Sequence, residues 1–418
     1  MSILIKQVQL GNQSKDIYIE GNKIHSIADN LNFDATKIID GKGKAAIPGF
    51  VNGHTHAAMT LMRGYADDMP LMPWLEEKIW PLERKITEED VYWGTKLACL
   101  EMIKSGTTTF VDMYHFFPGI CRATDEMGIR GMLTHAGFDF SIHEKASEYK
   151  ADVKKYFESM HHYSDRIQMA MGPHAIYTVS TNLLKWIHDF AKANNLRIHT
   201  HLSETEGEVA DSIKSFGLRP VQYLESIGFL DKNVSLAHCV HLDDTDLKIL
   251  ADRGCQVVHN PASNMKLASG SCFRYPDMKA FGIPVSIGTD GTSSGNNLDM
   301  LEAMKLASLM GKVAWNDPTL WTAEETFACA TSVAETLTSF KTGKIEEGYL
   351  ADINLVNLNL PEMTPNFHLI SNLVYSANGS CIDTVICDGN ILMENRHVQG
   401  EEEIMRKASE VAFDLVKR

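Results

Sequence analysis

Eight short apolar runs, at 46–52, 108–112, 130–135, 167–172, 196–201, 234–238, 255–259 and 284–289, alternate with amphipathic stretches long enough to be helices. This alternation constrains the fold more than any other feature. Strands buried on both faces of a parallel sheet read as near-continuous apolar runs, and intervening helices are the crossovers a parallel sheet requires. Eight such repeats predict an α/β chain closed into a (β/α)8 TIM-type barrel in preference to an open doubly wound sheet. Helix starts are legible between the runs: Thr87-Glu-Glu-Asp90 opens one helix ending before Gly106, Ser180-Thr181 a second ending near Asn194, and Asp243-Asp244 a third ending before Gly254. Gly-x-Gly-x-x-Gly and Gly-x-x-x-x-Gly-Lys-Ser/Thr are both absent, which removes the usual dinucleotide and P-loop readings.

The two ends of the chain follow a different rule. Residues 3–10, 17–19 and 23–27 read as short strands joined by Gly11-Asn12 and Gly21-Asn22, a small meander. Period-two alternation returns after Ile345, at 351–356, 384–387 and 390–393, before a charged helix from Glu401. Segments 1–48 and 345–418 are therefore expected to build one small, discontinuous β-sandwich domain, and 49–344 the barrel. Acidic residues outnumber basic ones 54 to 39 and no Lys/Arg-rich run occurs, so no nucleic-acid partner is expected. The eight cysteines are scattered without a Cys-x-x-Cys pair, and neither a leader pattern nor an 18-residue apolar run is present. A cytoplasmic setting with no membrane partner is the expectation.

The sharpest local signal is Pro48-Gly-Phe-Val-Asn-Gly-His54-Thr-His56, where two histidines two apart at a strand end face one side and can share a metal ion. By itself it decides little, because 17 histidines in 418 residues give about 0.7 such pairs by chance, and His199-Thr-His201 is another. Context supplies the weight. His201, His238 and Asp290 also close inferred strands, the end at which barrel enzymes carry their chemistry. Imidazoles with one carboxylate leave a zinc-like ion an open position, as in a catalytic site. His199, one layer deeper than His201, reads as a hydrogen-bonded core residue, and Trp80 and Trp93 as helix packing.

Taken with Trp74-Leu-Glu-Glu-Lys-Ile-Trp-Pro-Leu-Glu83, Gly172-Pro-His174, His201-Leu-Ser-Glu204-Thr, Ala237-His238-Cys, His259-Asn-Pro-Ala-Ser-Asn-Met-Lys-Leu and Gly288-Thr-Asp290-Gly, these motifs resemble the amidohydrolase superfamily over nearly the whole chain. The branch most resembled is that of 5′-methylthioadenosine/S-adenosylhomocysteine deaminases. The resemblance implies hydrolytic deamination of the adenine ring of a 5′-modified adenosine (5′-methylthioadenosine, S-adenosylhomocysteine, 5′-deoxyadenosine or adenosine) to the inosine analogue and ammonia. It implies one divalent metal ion per subunit, zinc with iron or manganese as alternatives, held by His54, His56, His201 and Asp290. It further implies that Asp290 takes the proton of the attacking water, His238 orients that water, and Glu204 protonates ring N1 from a buried site that raises its pKa. Trp74, Glu83, His174 and Ser294 are the implied nucleoside contacts, and the fourth strand carries no lysine that could bridge a second ion.

One departure bears on substrate. Relatives that use S-adenosylhomocysteine carry arginines after the third strand to grip its carboxylate, and residues 134–150 contain none, only Lys145 and Lys150. Substrates without that carboxylate are the expectation. The residues leave open an aminohydrolase of another heterocycle (guanine, pterin or triazine) and a non-enzymatic scaffold of the same fold. The partner is expected to be a small-molecule nucleoside, and homo-oligomer formation is left open.

Overall fold

A computed structural model describes residues 2–270 and 272–418. Its eight barrel strands are Phe50–Thr55, Thr107–Tyr114, Arg130–Gly137, Ile167–Pro173, Ile198–Leu202, Val234–His238, Gln256–His259 and Val285–Ile287, each parallel to the next. The last meets the first at the top of the barrel. Asn52 Nδ2 donates to Thr289 Oγ1 (2.7 Å), Thr289 N donates to Asn52 Oδ1 (3.1 Å), and Asp290 N donates to His54 O (3.0 Å). All eight expected strands form, with two corrections. The run at 46–52 is two strands, because Lys44–Pro48 belongs to a separate sheet and the chain crosses to the barrel at Gly49. A Cβ at Gly49 would lie 2.1 Å from Thr108 Oγ1, so the crossing needs glycine. The eighth strand is shorter than expected because residues 288–290 leave the ladder to bond the first strand.

The three expected helix starts hold. Thr87 and Asp243 form reciprocal capping boxes with Asp90 and Asp246, and the Ser180 side chain accepts from Leu183 N. Each such cap contributes about 1 kcal/mol by satisfying amide donors that have no intrahelical partner.

Strands from both chain ends share the second sheet. Lys44–Pro48 pairs antiparallel with Ile353–Asn357, and Ser2–Leu10 pairs with Gln13–Glu20 and, in its first half, with Lys37–Asp40. Gln7, at φ 55°, bends that first strand between partners. Ile3, Ile5, Ile17, Ile353 and Ile386 close over one apolar core. Arg130, at the base of the third barrel strand, joins the sheet to the barrel through buried Asp352 (Nε to Oδ2 3.0 Å). The terminal helix Glu401–Lys417 does not complete the β-module, as its position in the sequence suggested. It packs on the barrel helix Glu88–Lys104, held by Lys104–Glu401 (2.6 Å) and Arg418–Asp90 (2.6 Å). No helix among the described residues is long and apolar enough to cross a membrane, and the eight cysteines are unpaired.

Candidate active site

The carboxyl ends of the strands converge on a narrow cavity lined by His56, Trp74, Glu83, His201, Glu204 and Asp290. His56 reaches it from the end of the first strand, with buried His54 on the same face beneath it, His201 and Glu204 from the end of the fifth, His238 from the sixth and Asp290 from the eighth. His238 and Asp290 both adopt left-handed backbone conformations (φ 72° and 63°), strain that the fold holds at the point where the chain turns out of the barrel.

The hydrogen bonds at the rear of two imidazoles define what their inward nitrogens can do. His56 Nδ1 lies 2.6 Å from Met113 O and His201 Nδ1 2.7 Å from His174 O, and a carbonyl can only accept, so both rings carry their proton on Nδ1. Their Nε2 lone pairs then face each other at 3.3 Å with no proton between them. That is repulsive unless a cation sits there. His54 Nε2 is buried without a hydrogen-bond partner, and Asp290 Oδ1 stands 3.5 Å from it and 3.4 Å from His56 Nε2. Two donors each about 2.0–2.2 Å from one tetrahedral ion lie about 3.4 Å apart. The three separations, 3.3, 3.4 and 3.5 Å, therefore match the edges of a tetrahedral site, and the residues fit a divalent metal ion.

Electrostatics agrees. Burial holds His54 down at about 4 and His201 well below the usual imidazole range, so both stay neutral at pH 7. Burial pushes the Asp290 carboxyl up, but His54, His56 and His238 around it outweigh burial and keep it well below the ordinary value. The group offers a cation neutral imidazoles and one carboxylate.

His238 differs from the other three. In the amide orientation the structure holds, Asn264 Nδ2 donates to His238 Nδ1 at 3.0 Å, so the ring proton sits on Nε2, facing Glu204 (3.8 Å) and Asp290 Oδ2 (4.0 Å). It is a donor aimed into the cavity. Glu204 is buried, and the amides of Ser203 and Glu204 donate to the Glu208 carboxylate at 2.9 and 2.8 Å. Burial, and then the Asp290 charge, raise Glu204 to about 8, so it keeps a proton at neutral pH.

Trp74, Glu83, His174 and Ser294 all line the cavity. Trp80 is a correction: it lines the wall instead of merely packing a helix. A π-turn at Leu75–Ile79 inserts an extra residue, turning Trp80 and Glu83 out of simple α-helical register. Met59 and Met113 also line the cavity, whereas Met62 is core and Met72 is exposed. His115, Phe138 and Tyr177 carry no sequence motif and were missed. Phe138 stacks on His174 (4.5 Å between centroids) and on His115 (5.5 Å). It separates the cavity from an annex walled by Trp80, Phe116, Phe140 and Tyr156. Lys145 reaches that annex, whereas Lys150 lies over Trp186, away from it. Arg84, from another element, also stands on its wall, with Glu83 and Asp152.

Known proteins share this architecture. The model of the amidohydrolase family matches residues 45–392. A 5′-deoxyadenosine deaminase of Methanospirillum hungatei is 47% identical, across 94% of this chain and 88% of its own. A 5-methylthioadenosine/S-adenosylhomocysteine deaminase of Archaeoglobus fulgidus is also 47% identical, across 99% of both chains. Among solved structures, an adenosine deaminase from Xanthomonas campestris with bound zinc superposes with a TM-score of 0.94 at 29% identity, covering 100% of this chain and 98% of that one. The chain belongs to the amidohydrolase family.

Proposed function

We propose that this protein is a divalent-metal-dependent deaminase of 5′-modified adenosines, converting the adenine ring to hypoxanthine with release of ammonia. The observation that carries the reading is the pairing of one tetrahedral donor set with a protonated carboxyl and an imidazole N–H aimed into the same cavity. His54, His56, His201 and Asp290 hold the ion, which we assign as zinc, with iron or manganese as alternatives. When bound, the ion lowers the pKa of water so that a nucleophile is available near neutral pH.

The chain's own groups do the rest. Asp290 Oδ2, on the His238 side of the carboxylate, receives a proton from the attacking water. His238 Nε2–H donates to the oxygen of that water, orienting it on ring C6 and stabilising the negative charge that develops. Glu204 delivers its proton to ring N1, which makes C6 electrophilic. The C6–O bond forms, the C6–N bond breaks, and the amine leaves as ammonia carrying the proton first taken by Asp290. The remaining hydroxyl proton recharges Glu204. Trp74 walls the base, Glu83 takes the ribose hydroxyls, and His174 and Ser294 complete the nucleoside contacts.

The 5′ substituent lies toward the annex. Its wall is aromatic, and Arg84 and Lys145 are offset there by Glu83 and Asp152, so nothing supplies the net positive charge that would select a carboxylate. Methylthio or deoxy substituents suit that surface better than a zwitterionic one. The unpaired thiols support a cytoplasmic setting. Ammonia release from a panel of adenine nucleosides, guanine, a pterin and a triazine tests the reading. Chelator-sensitive turnover confined to adenine nucleosides is expected, and turnover of another heterocycle alone overturns it.

A further inference from the structure

His199 faces the barrel interior beneath the metal ligands and is fully buried. Its ring bridges two groups: Nε2 lies 2.8 Å from His54 Nδ1, and Nδ1 lies 2.8 Å from Ser235 Oγ. The Ser235 hydroxyl in turn donates to the carbonyl of Ile198 at 3.1 Å. The direction of the whole chain of hydrogen bonds follows from that last contact. A carbonyl has no proton to give, so Ser235 spends its one proton on Ile198 O and must accept from His199 Nδ1–H. His199 Nε2 is then a lone pair, and it accepts from His54 Nδ1–H. The proton of His54 is thereby placed on Nδ1, and its Nε2 is left bare.

The other end agrees independently. Run in reverse, the chain would place a proton on His54 Nε2, where the nearest acceptor, Asp290 Oδ1 at 3.5 Å, makes no hydrogen bond. We infer that Ser235 and His199 form a buried relay that fixes the tautomer of His54 and so presents its Nε2 to the metal, with His199 acting as a positioning residue and not as a ligand. His56 and His201 obtain the same result from single backbone carbonyls. For His54 the fold uses two side chains instead. Partners of this kind behind a ligating imidazole set its orientation and basicity, and removing one weakens metal binding by about 10–100-fold.

The inference rests on the metal reading above, and the experiment separates the two. Zinc affinity is measured by chelator competition for the parent, His199→Leu, His199→Gln, Ser235→Ala and Ser235→Thr, with circular dichroism of each metal-free protein as the folding control. A cobalt(II)-loaded sample of each provides a d–d spectrum that reports ligand geometry. Leucine removes the acceptor, whereas glutamine can place an amide oxygen near the position of Nε2. The expected result is affinity about 10–100-fold weaker with an altered cobalt spectrum in His199→Leu, and affinity within a few-fold of the parent in His199→Gln. Parental affinity and spectrum in a folded His199→Leu overturn the relay. Should that variant not fold, the serine pair decides: weaker binding in Ser235→Ala with recovery in Ser235→Thr supports the relay, and unchanged binding in Ser235→Ala overturns it. A parent that binds no stoichiometric zinc, iron or manganese overturns the metal reading itself.

Discussion

Replacing Glu204 by glutamine should stabilise the metal-free protein while disabling the enzyme. The carboxyl rises from its ordinary 4.5 to about 8 on folding, first through burial and then through the Asp290 charge. Between those two pH values the folded state binds a proton that the unfolded chain has released, so stability falls as pH rises. The slope is about 1.4 kcal/mol per pH unit for one group. From pH 5 to pH 7 the parent therefore loses about 2.5 kcal/mol that an uncharged glutamine does not. Glu208, raised to about 7 by burial, is present in both proteins and largely cancels. Urea denaturation of metal-stripped parent and Glu204→Gln at the two pH values reads the difference directly. The variant's advantage should widen by about 2–3 kcal/mol at the higher pH. A gap that does not change with pH, or one that widens in favour of the parent, would mean that Glu204 is ionised in the folded state and cannot act as the acid. Loaded with metal, the same variant should lose about 10²–10⁴ in kcat, the usual contribution of a positioned acid.

Asn264→Asp offers His238 Nδ1 an acceptor in place of a donor and moves the ring proton away from the cavity. A loss of about 10²–10³ in kcat with little change in KM is expected from steady-state kinetics, and parental kcat would rule out the donor role. In Gly288→Ala a new Cβ would stand 2.7 Å from His54 N and 2.9 Å from His54 Cβ. Reduced zinc content by elemental analysis, with about 1–3 kcal/mol lost in stability, is the expected outcome. Asp352→Ala removes one of the two carboxylates paired with buried Arg130 at the opposite end of the barrel, leaving Asp388 at 2.7 Å. It should cost about 1–3 kcal/mol in denaturation while leaving kcat/KM of the folded enzyme intact. Finally, kcat/KM for 5′-methylthioadenosine should exceed that for S-adenosylhomocysteine, and equality would remove the annex argument.

The barrel was legible because strands buried on both faces leave apolar runs that nothing interrupts, and because Thr87, Ser180 and Asp243 mark helix starts by their own chemistry. The first run misled because two strands of different sheets meet at Pro48-Gly49 without a polar residue between them. The terminal helix misled for another reason: its sequence announces a helix but not its neighbour, and the ion pairs to Lys104 and Asp90 exist only in the folded chain. At the site, His54, His56, His201, His238 and Asp290 could be read because each closes a strand. Trp80 could not, since its place depends on the π-turn before it, and Phe138 and Tyr177 face the cavity through loops whose course is set by tertiary packing. The period-two spacing put His199 correctly below His201, but its partnership with Ser235 depends on the register between two neighbouring strands.

The most direct test of the account is the product formed from 5′-deoxyadenosine by metal-loaded protein in oxygen-18 water. A hypoxanthine nucleoside carrying the label at C6, with one equivalent of ammonia, is the predicted result. Recovery of intact substrate, or of free adenine with the label on the sugar, would contradict the assignment of adenine deamination to this site.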